Sequence, residues 1–211
     1  MVVTLITHSQ AKPFIEYWHY SGCVPTGKNI FFGWWVAGEL YAVADYGCGV
    51  NPYQAEFLAR TTGNSVTNEN LVELKRLCRI DPPRDDAYLT MFLGRCHKIL
   101  SCCGIEYVVS FSDPEHGHDG GIYKAANFRH LGVTNPEIHL IDENGEKRHR
   151  RYAYRYARRN KVHVSVAREH LGVKPIKTAP KDRWFLSIGK KRTGTVCDRI
   201  KGAGSQFDLF E

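Results

Sequence analysis

The chain has 211 residues, of which 43% are hydrophobic, 12% aromatic and 24% charged, with a formal net charge of +7. That is enough apolar material for one good core, so one domain with an appendage is the expectation. No run approaches the roughly 18 apolar residues of a membrane span, and the opening MVVTLITHSQAKPF lacks the marks of a signal peptide, so a soluble, cytoplasmic protein without a membrane partner is expected.

Residues 9–20, SQAKPFIEYWHY, read as a helix capped by Ser9, with Phe14, Ile15 and Trp18 on its apolar stripe. FFGWWV and ELYAVADY are β-rich, and the Ala-Gly between them suits a tight hairpin. A short helix is expected within NPYQAEFLARTTGNS. LVELKRLCRI, 71–80, alternates as a strand does, and Pro82 and Pro83 end it. DDAYLTMFLGRCHKILSCCG has helical spacing, with Asp85 and Asp86 at its start and Gly104 at its end. IEYVVSFS is the nearly continuous apolar run of a buried central strand. GGIYKAANFRHLG reads as one amphipathic helix stopped by Gly132, and EIHLIDENGEKRHR as a hairpin turning at Asn144-Gly145. RRYAYRYARRN fits both periods, with a slight preference for helix; SVAREHLGV is a short helix capped by Ser165, and RWFLSIGKK a last strand.

Charge is segregated. Between Lys147 and Lys201 there are 18 Lys and Arg against three acids, whereas residues 1–146 carry 11 basic and 17 acidic residues. The division predicted is a core over 1–146, a basic segment over 147–201 that includes the last core strand, and a tail over 202–211. A basic segment of such purity points to a polyanion, and nucleic acid is favoured over a solvated charged surface. Arg150, Arg151, Arg155, Arg158, Arg159 and Lys161 would contact phosphates, and Tyr152, Tyr154 and Tyr156 would stack on bases or pack the core. Seven Cys without a CxxC pair favour reduced thiols over a disulfide framework or zinc site.

The chemistry concentrates in SFSDPEHGHDGGIYKAANF, 110–128. Asp113 sits at the C-terminal end of an apolar strand, where α/β sheets place ligand groups, and could act as general base or metal ligand; the plain alternative is a turn Asp before Pro114. Tyr123 is a candidate acid or a core aromatic. His116 reads as a solvated loop residue, with His118 a secondary metal candidate. Arg76, charged on a central strand, implies a paired carboxylate or a bound anion.

The element order is that of the N-acetyltransferase (GNAT) superfamily, a mixed α/β sheet fold, here with a basic C-terminal extension. WHYSG at 18–22, LKRLCRI, SDPEHGHDGGIYKAANF and PKDRWFLSIGKKR together resemble the phage Mom family, across roughly Ser9 to Arg192. The resemblance implies an enzyme that converts the exocyclic amine of adenine in DNA to its carbamoylmethyl (acetamido) derivative, shielding phage DNA from restriction. It singles out His19, Tyr20, Arg76, Ser112, Asp113 and Tyr123 as catalytic, with Tyr123 protonating a leaving group as in many GNAT enzymes. Where such enzymes hold CoA phosphates on a Gly-rich loop, this chain reads DPPRDDAYL; acetyl-CoA or another acyl donor would then rely on Arg79 and Arg84. Making an N–CH₂ bond invites a redox metal, Fe(II), with His19, Tyr20 and Asp113 as ligands. Two alternatives stay open: an N-acetyltransferase acting on a protein or small-molecule amine, and a non-catalytic DNA-binding phage protein. Oligomeric state also stays open, a homodimer included.

Overall fold

A computed structural model describes residues 2–49, 51–81 and 88–189. The predicted ends at Pro82 and Pro83, the acids Asp85 and Asp86, and Arg84 lie outside the described residues, as does Cys197. No described helix is long and apolar enough to cross a membrane.

Two compact units emerge. The first gathers the described parts of 1–112, 119–132 and 183 onward; the second comprises Asp113–His118 and Val133–Asp182. The basic residues from Lys147 to Lys181 thus fall in the second unit with Asp113–His118 and 133–146, while Arg183 falls in the first. The reason is topological: the 138–149 hairpin supplies the sheet on which the basic helix packs.

In the first unit, a strand absent from the sequence reading, β1 (Val2–Ile6), opens the chain. Its sequence VVTLI shows no polar alternation, and pairing with the hairpin defines it. Helix α1 (His8–Trp18) starts earlier than predicted: Thr7, not Ser9, is its cap, and Gln10 completes a capping box. Strands β2 (Asn29–Val36) and β3 (Glu39–Gly47) form the expected hairpin, with Ala37 and Gly38 both at positive φ in the turn. Then come α2 (Gln54–Thr62), β4 (Leu71–Arg79), α3 (Leu89–Cys102) and β5 (Tyr107–Ser112).

GGIYKAANFRHLG is not one helix. Helix α4 spans only Gly121–Ala125, and the chain passes through left-handed Asn127 into β6 (Arg129–Val133). Asn tolerates that conformation and stops the helix, and buried Phe128 is fixed by tertiary packing that helical spacing does not register. With β10 (Asp182–Ser187) the described residues form a seven-stranded sheet, order β1-β2-β3-β4-β5-β10-β6. Residues 41–47 of β3 are all buried, as a strand covered on both faces must be. On β3, Ala42, Ala44 and Tyr46 pack with α3 residues Phe92, Leu93 and Cys96, while Val43 packs with α1 through Ala11 and Ile15.

The second unit has a three-stranded sheet, β8-β7-β9, of β7 (Ile138–Ile141), β8 (Lys147–His149) and β9 (Lys174–Lys177), the last not anticipated. Its helices are α5 (Arg151–Asn160) and α6 (Val164–His170). The ambiguous RRYAYRYARRN is therefore helix, with Ala153 and Ala157 inward. The cap of α6 is His163, whose ring accepts the Ser165 N–H, rather than Ser165 itself.

Candidate active site

Strands β4 and β5 run parallel and pair from Leu71 with Tyr107 to Leu74 with Ser110. Beyond that point β4 continues to Arg79 and β5 to Ser112 without pairing to each other, which opens a fork at their C-terminal ends. Ends of parallel strands at such a divergence are where α/β sheets bind ligands. Ser110 sits at the fork: its hydroxyl donates to the Leu74 carbonyl (2.8 Å) and lies 2.9 Å from the Tyr123 hydroxyl.

Tyr123 comes from α4, its ring stacked on Trp184 with centroids 5.7 Å apart. Trp184 is itself anchored by its indole N–H on Ser112 Oγ at 2.8 Å. Gly120 makes this stack fit, since a Cβ there would overlap the Trp184 ring. Burial, above all, raises the Tyr123 phenol above its ordinary range; the Ser110 hydrogen bond lowers it, and the negative forms of Tyr20 and Glu73 raise it further. Tyr123 is thus held protonated, and Tyr20 and Glu73 lie within electrostatic reach of it.

His19 and Tyr20 follow α1, their rings 4.4 Å apart. His19 Nδ1 accepts the Ser21 N–H (3.1 Å) and lies 2.9 Å from Ser21 Oγ. Arg76 reaches this loop from β4, donating to the Cys23 carbonyl at 3.2 Å and to the Lys75 carbonyl at 2.7 Å. So Arg76, His19 and Tyr20 share one neighbourhood. Arg79 is half-buried at the end of β4.

Three further residues belong to this site and were missed in the sequence. Asp45 on β3 is fully buried, faces Arg76 across a bulge that leaves Lys75 unopposed, and has no hydrogen-bond partner on either carboxylate oxygen. Burial pushes its carboxyl up to about 7 despite Lys75 and Arg76. Lys75 Nζ donates to Asn29 Oδ1 (2.8 Å) and passes beneath Gly47, where a Cβ would come within 2.7 Å of it. Glu73 lies against Gly49, a Cβ there falling 2.9 Å from Oε2. The available signal was a set of charges, Glu73, Lys75 and Arg76, in an otherwise apolar strand, opposite an Asp inside ELYAVADYG.

Asp113 and His118 belong to the second unit. Asp113 Oδ1 accepts the Glu115 N–H (3.1 Å) in a 3-10 turn over Pro114–His116, and Oδ2 lies 3.5 Å from both Lys181 Nζ and His116 Nδ1. Glu115 adds a pair to Lys147 at 2.7 Å and accepts the Ala179 N–H at 2.7 Å, interactions that hold its carboxyl below the usual range. Asp113 therefore caps the turn with one oxygen and turns the other to Lys181 and His116. His118 is exposed. Among the described residues no three His, Cys, Asp or Glu are placed to hold a metal, so an iron site on His19, Tyr20 and Asp113 finds no support in the donor set.

The second unit also presents the basic helix. Arg151, Arg155, Arg158 and Arg159 on α5 are exposed, as are the flanking Arg150 and Lys161, while Ala153 sits beside Leu140 and Val173. Tyr152 and Tyr154 are exposed rather than core, and the Arg148 guanidinium lies 5.5 Å from the Tyr152 ring centre. Trp34 is buried against Phe92 and Trp35 donates to Thr4 Oγ1, so both serve the sheet.

The model of the Mom protein family matches residues 1–199. No curated protein matches the sequence. Among solved structures, an aminoglycoside 6'-acetyltransferase type Ii is similar with TM-score 0.50 and 11% identity, covering 91% of this chain and 100% of its own. An N-acyl amino acid synthase from uncultured soil microbes is similar at 0.49 and 13%, covering 89% of each chain. A spermidine N-acetyltransferase from Vibrio cholerae, in complex with CoA and spermine, is similar at 0.47 and 8%, covering 90% and 96%. The fold is GNAT-like.

Proposed function

Because this chain belongs to the Mom protein family, we propose that it is a DNA-modifying transferase. Its substrate would be the exocyclic amine of adenine in phage DNA, converted to the carbamoylmethyl derivative and so shielded from host restriction. The observation that carries the enzymatic reading is Tyr123, a buried phenol held protonated at the fork of β4 and β5. In any such transfer N6 gains a bond to carbon and loses a proton, while the donor's leaving group takes one up. Tyr123 is the proton donor, a role worth about 10²–10⁴-fold in rate. Ser110 and Ser112 position it, the first at its hydroxyl and the second through Trp184.

Acyl transfer to N6 would leave an amide, so the carbamoylmethyl product calls for a donor whose CH₂ carbon carries the leaving group, whereas an acyl carrier of the acetyl-CoA type suits the fork for simple acyl transfer. The edge of β4 beyond Leu74 is open on the β5 side to an extended amide-bearing chain, and Arg79 supplies a cation near the strand end. His19, Tyr20 and Arg76 form the wall on the α1 side. The exposed arginines of α5 would hold the phosphates, as suits a protein acting on DNA in the host cytoplasm.

Nucleosides from DNA of cells expressing the protein, analysed by mass spectrometry, test this. A modified deoxyadenosine that vanishes with Tyr123→Phe is expected. Unmodified DNA overturns the reading; if such a protein still binds DNA with steep salt dependence, the non-catalytic alternative takes its place. Acetylation of a small amine in its absence would favour the acetyltransferase alternative.

A further inference from the structure

A pocket of about 280 Å³ opens in the first unit where the end of β3, the start of α2 and strands β4 and β5 meet. Leu71, Val109 and Pro52 give it apolar walls, and Gln54, Glu73 and Asn68 its polar groups. Its size falls just below the range for small-molecule sites, roughly 300–1,000 Å³, which suits one planar ring system rather than a whole cofactor. Two features mark it as built for a ligand. Gln54 is only 6% exposed, yet its Nε2 has no hydrogen-bond partner, an expensive arrangement in a native interior. Glu73, pressed against Gly49, brings a carboxylate to the same cavity, and its charge is felt at Tyr123.

We propose that this pocket receives the adenine displaced from its strand, with Glu73 accepting from the exocyclic amine and the Gln54 amide pairing with the adjacent ring nitrogen. The inference rests on the DNA-modifying reading and adds where the base goes. The donor and acceptor pattern selects an amine beside a ring acceptor, which adenine and cytosine share, and the larger apolar face of the purine separates the two. An aliphatic ammonium offers only donors and leaves the Gln54 N–H unpaired. Guanine turns a carbonyl oxygen toward the Glu73 carboxylate. Adenine offers an amine beside a ring acceptor, the pattern that an amide side chain reads bidentately, and its faces meet Leu71 and Val109. A base must leave the stack to be reached at all, so a recess with apolar walls and a few polar groups is what the chemistry requires. Occupied in this way, the amine lies over Glu73, a carboxylate within electrostatic reach of the proton donor Tyr123.

The test uses the full chain and a labelled oligothymidine carrying one adenine, titrated by fluorescence polarisation beside matched strands with unsubstituted purine, cytosine or guanine at that position. The adenine strand should bind on the order of tenfold more tightly than the purine strand, which lacks the amine. Gln54→Met and Glu73→Gln should each bring that ratio close to one while the salt-dependent binding common to all strands persists. Melting curves check that both variants fold, and because one variant lies on α2 and the other on β4, a local packing fault cannot explain a shared loss. A ratio unchanged in both variants overturns the proposal, as does a cytosine strand bound as well as adenine. If the wild type binds no strand even at low salt, the DNA reading itself fails; if it binds all strands alike, only the pocket assignment does.

Discussion

Replacing Asp45 with Asn should flatten the pH dependence of stability. Asp45 is fully buried with both oxygens unpaired, and its carboxyl is raised from 3.8 to about 7. In the unfolded chain the group ionises near its ordinary value, so between the two pKa values the folded state holds a proton that the unfolded state has lost. The stability that protonated Asp45 leaves intact is fully present below about pH 4 and is lost as the pH rises through about 7. At about 1.4 kcal/mol for each pKa unit, the loss amounts to about 4 kcal/mol, with half of it accrued by about pH 5.5. Asn is nearly isosteric and has no proton to lose. Urea unfolding of wild type and Asp45→Asn at steps from about pH 4 to 8.5 reads the difference directly, since every other titrating group cancels between the two proteins. The variant should gain about 4 kcal/mol relative to wild type across that range. Parallel profiles would refute the reasoning and mean that Asp45 keeps its charge in the fold, compensated by Lys75 or Arg76.

Three further outcomes follow from the geometry. Tyr123→Phe keeps the ring on Trp184 but removes the hydroxyl near Ser110, so adenine modification should fall about 10²–10⁴-fold while the melting temperature barely moves; nucleoside mass spectrometry and a thermal melt read the two. Gly120→Ala meets the Trp184 ring at a backbone φ of +78, and overpacking with left-handed strain should cost about 2–4 kcal/mol in a urea melt. Replacing Arg155, Arg158 and Arg159 on α5 with Ala should weaken DNA binding alike for all sequences. The slope of log affinity against log salt should fall by about one for each phosphate no longer neutralised, as measured by filter binding or polarisation.

The elements that were legible in the sequence are those whose own residues carry the period. The β2–β3 hairpin, buried β5 and α3 follow directly from apolar patterning and turn residues. Where reading failed, a distant partner decides. VVTLI becomes a strand because Val2–Ile6 pairs with Phe31–Trp35, and GGIYKAANFRHLG breaks because Phe128 is drawn into the core that contains Tyr46 and Trp184. Tyr123 could be singled out by resemblance, whereas Ser110, an unremarkable serine in VVSFS, matters only because the β4–β5 ladder stops beside it. Asp45 looks like any polar residue in a strand until burial and missing partners are known. The polar run after Ser112 reads as one functional loop, yet Glu115 pairs with Lys147, 32 residues further on, and Asp113 and Glu115 fall in the other unit while Asp119 stays in the first.

The way the chain alternates between its units limits how it can be cut. The backbone leaves the first unit after Ser112, returns at Asp119, leaves again after Gly132 and returns at Arg183 with Trp184, a residue of the main core. A truncation before Lys147 meant to yield a minimal catalytic fragment would delete β10 and strip Tyr123 of its stacking partner. Neither unit is a cassette that recombination could splice in as one contiguous segment. Changes must accumulate residue by residue, with both units inherited together.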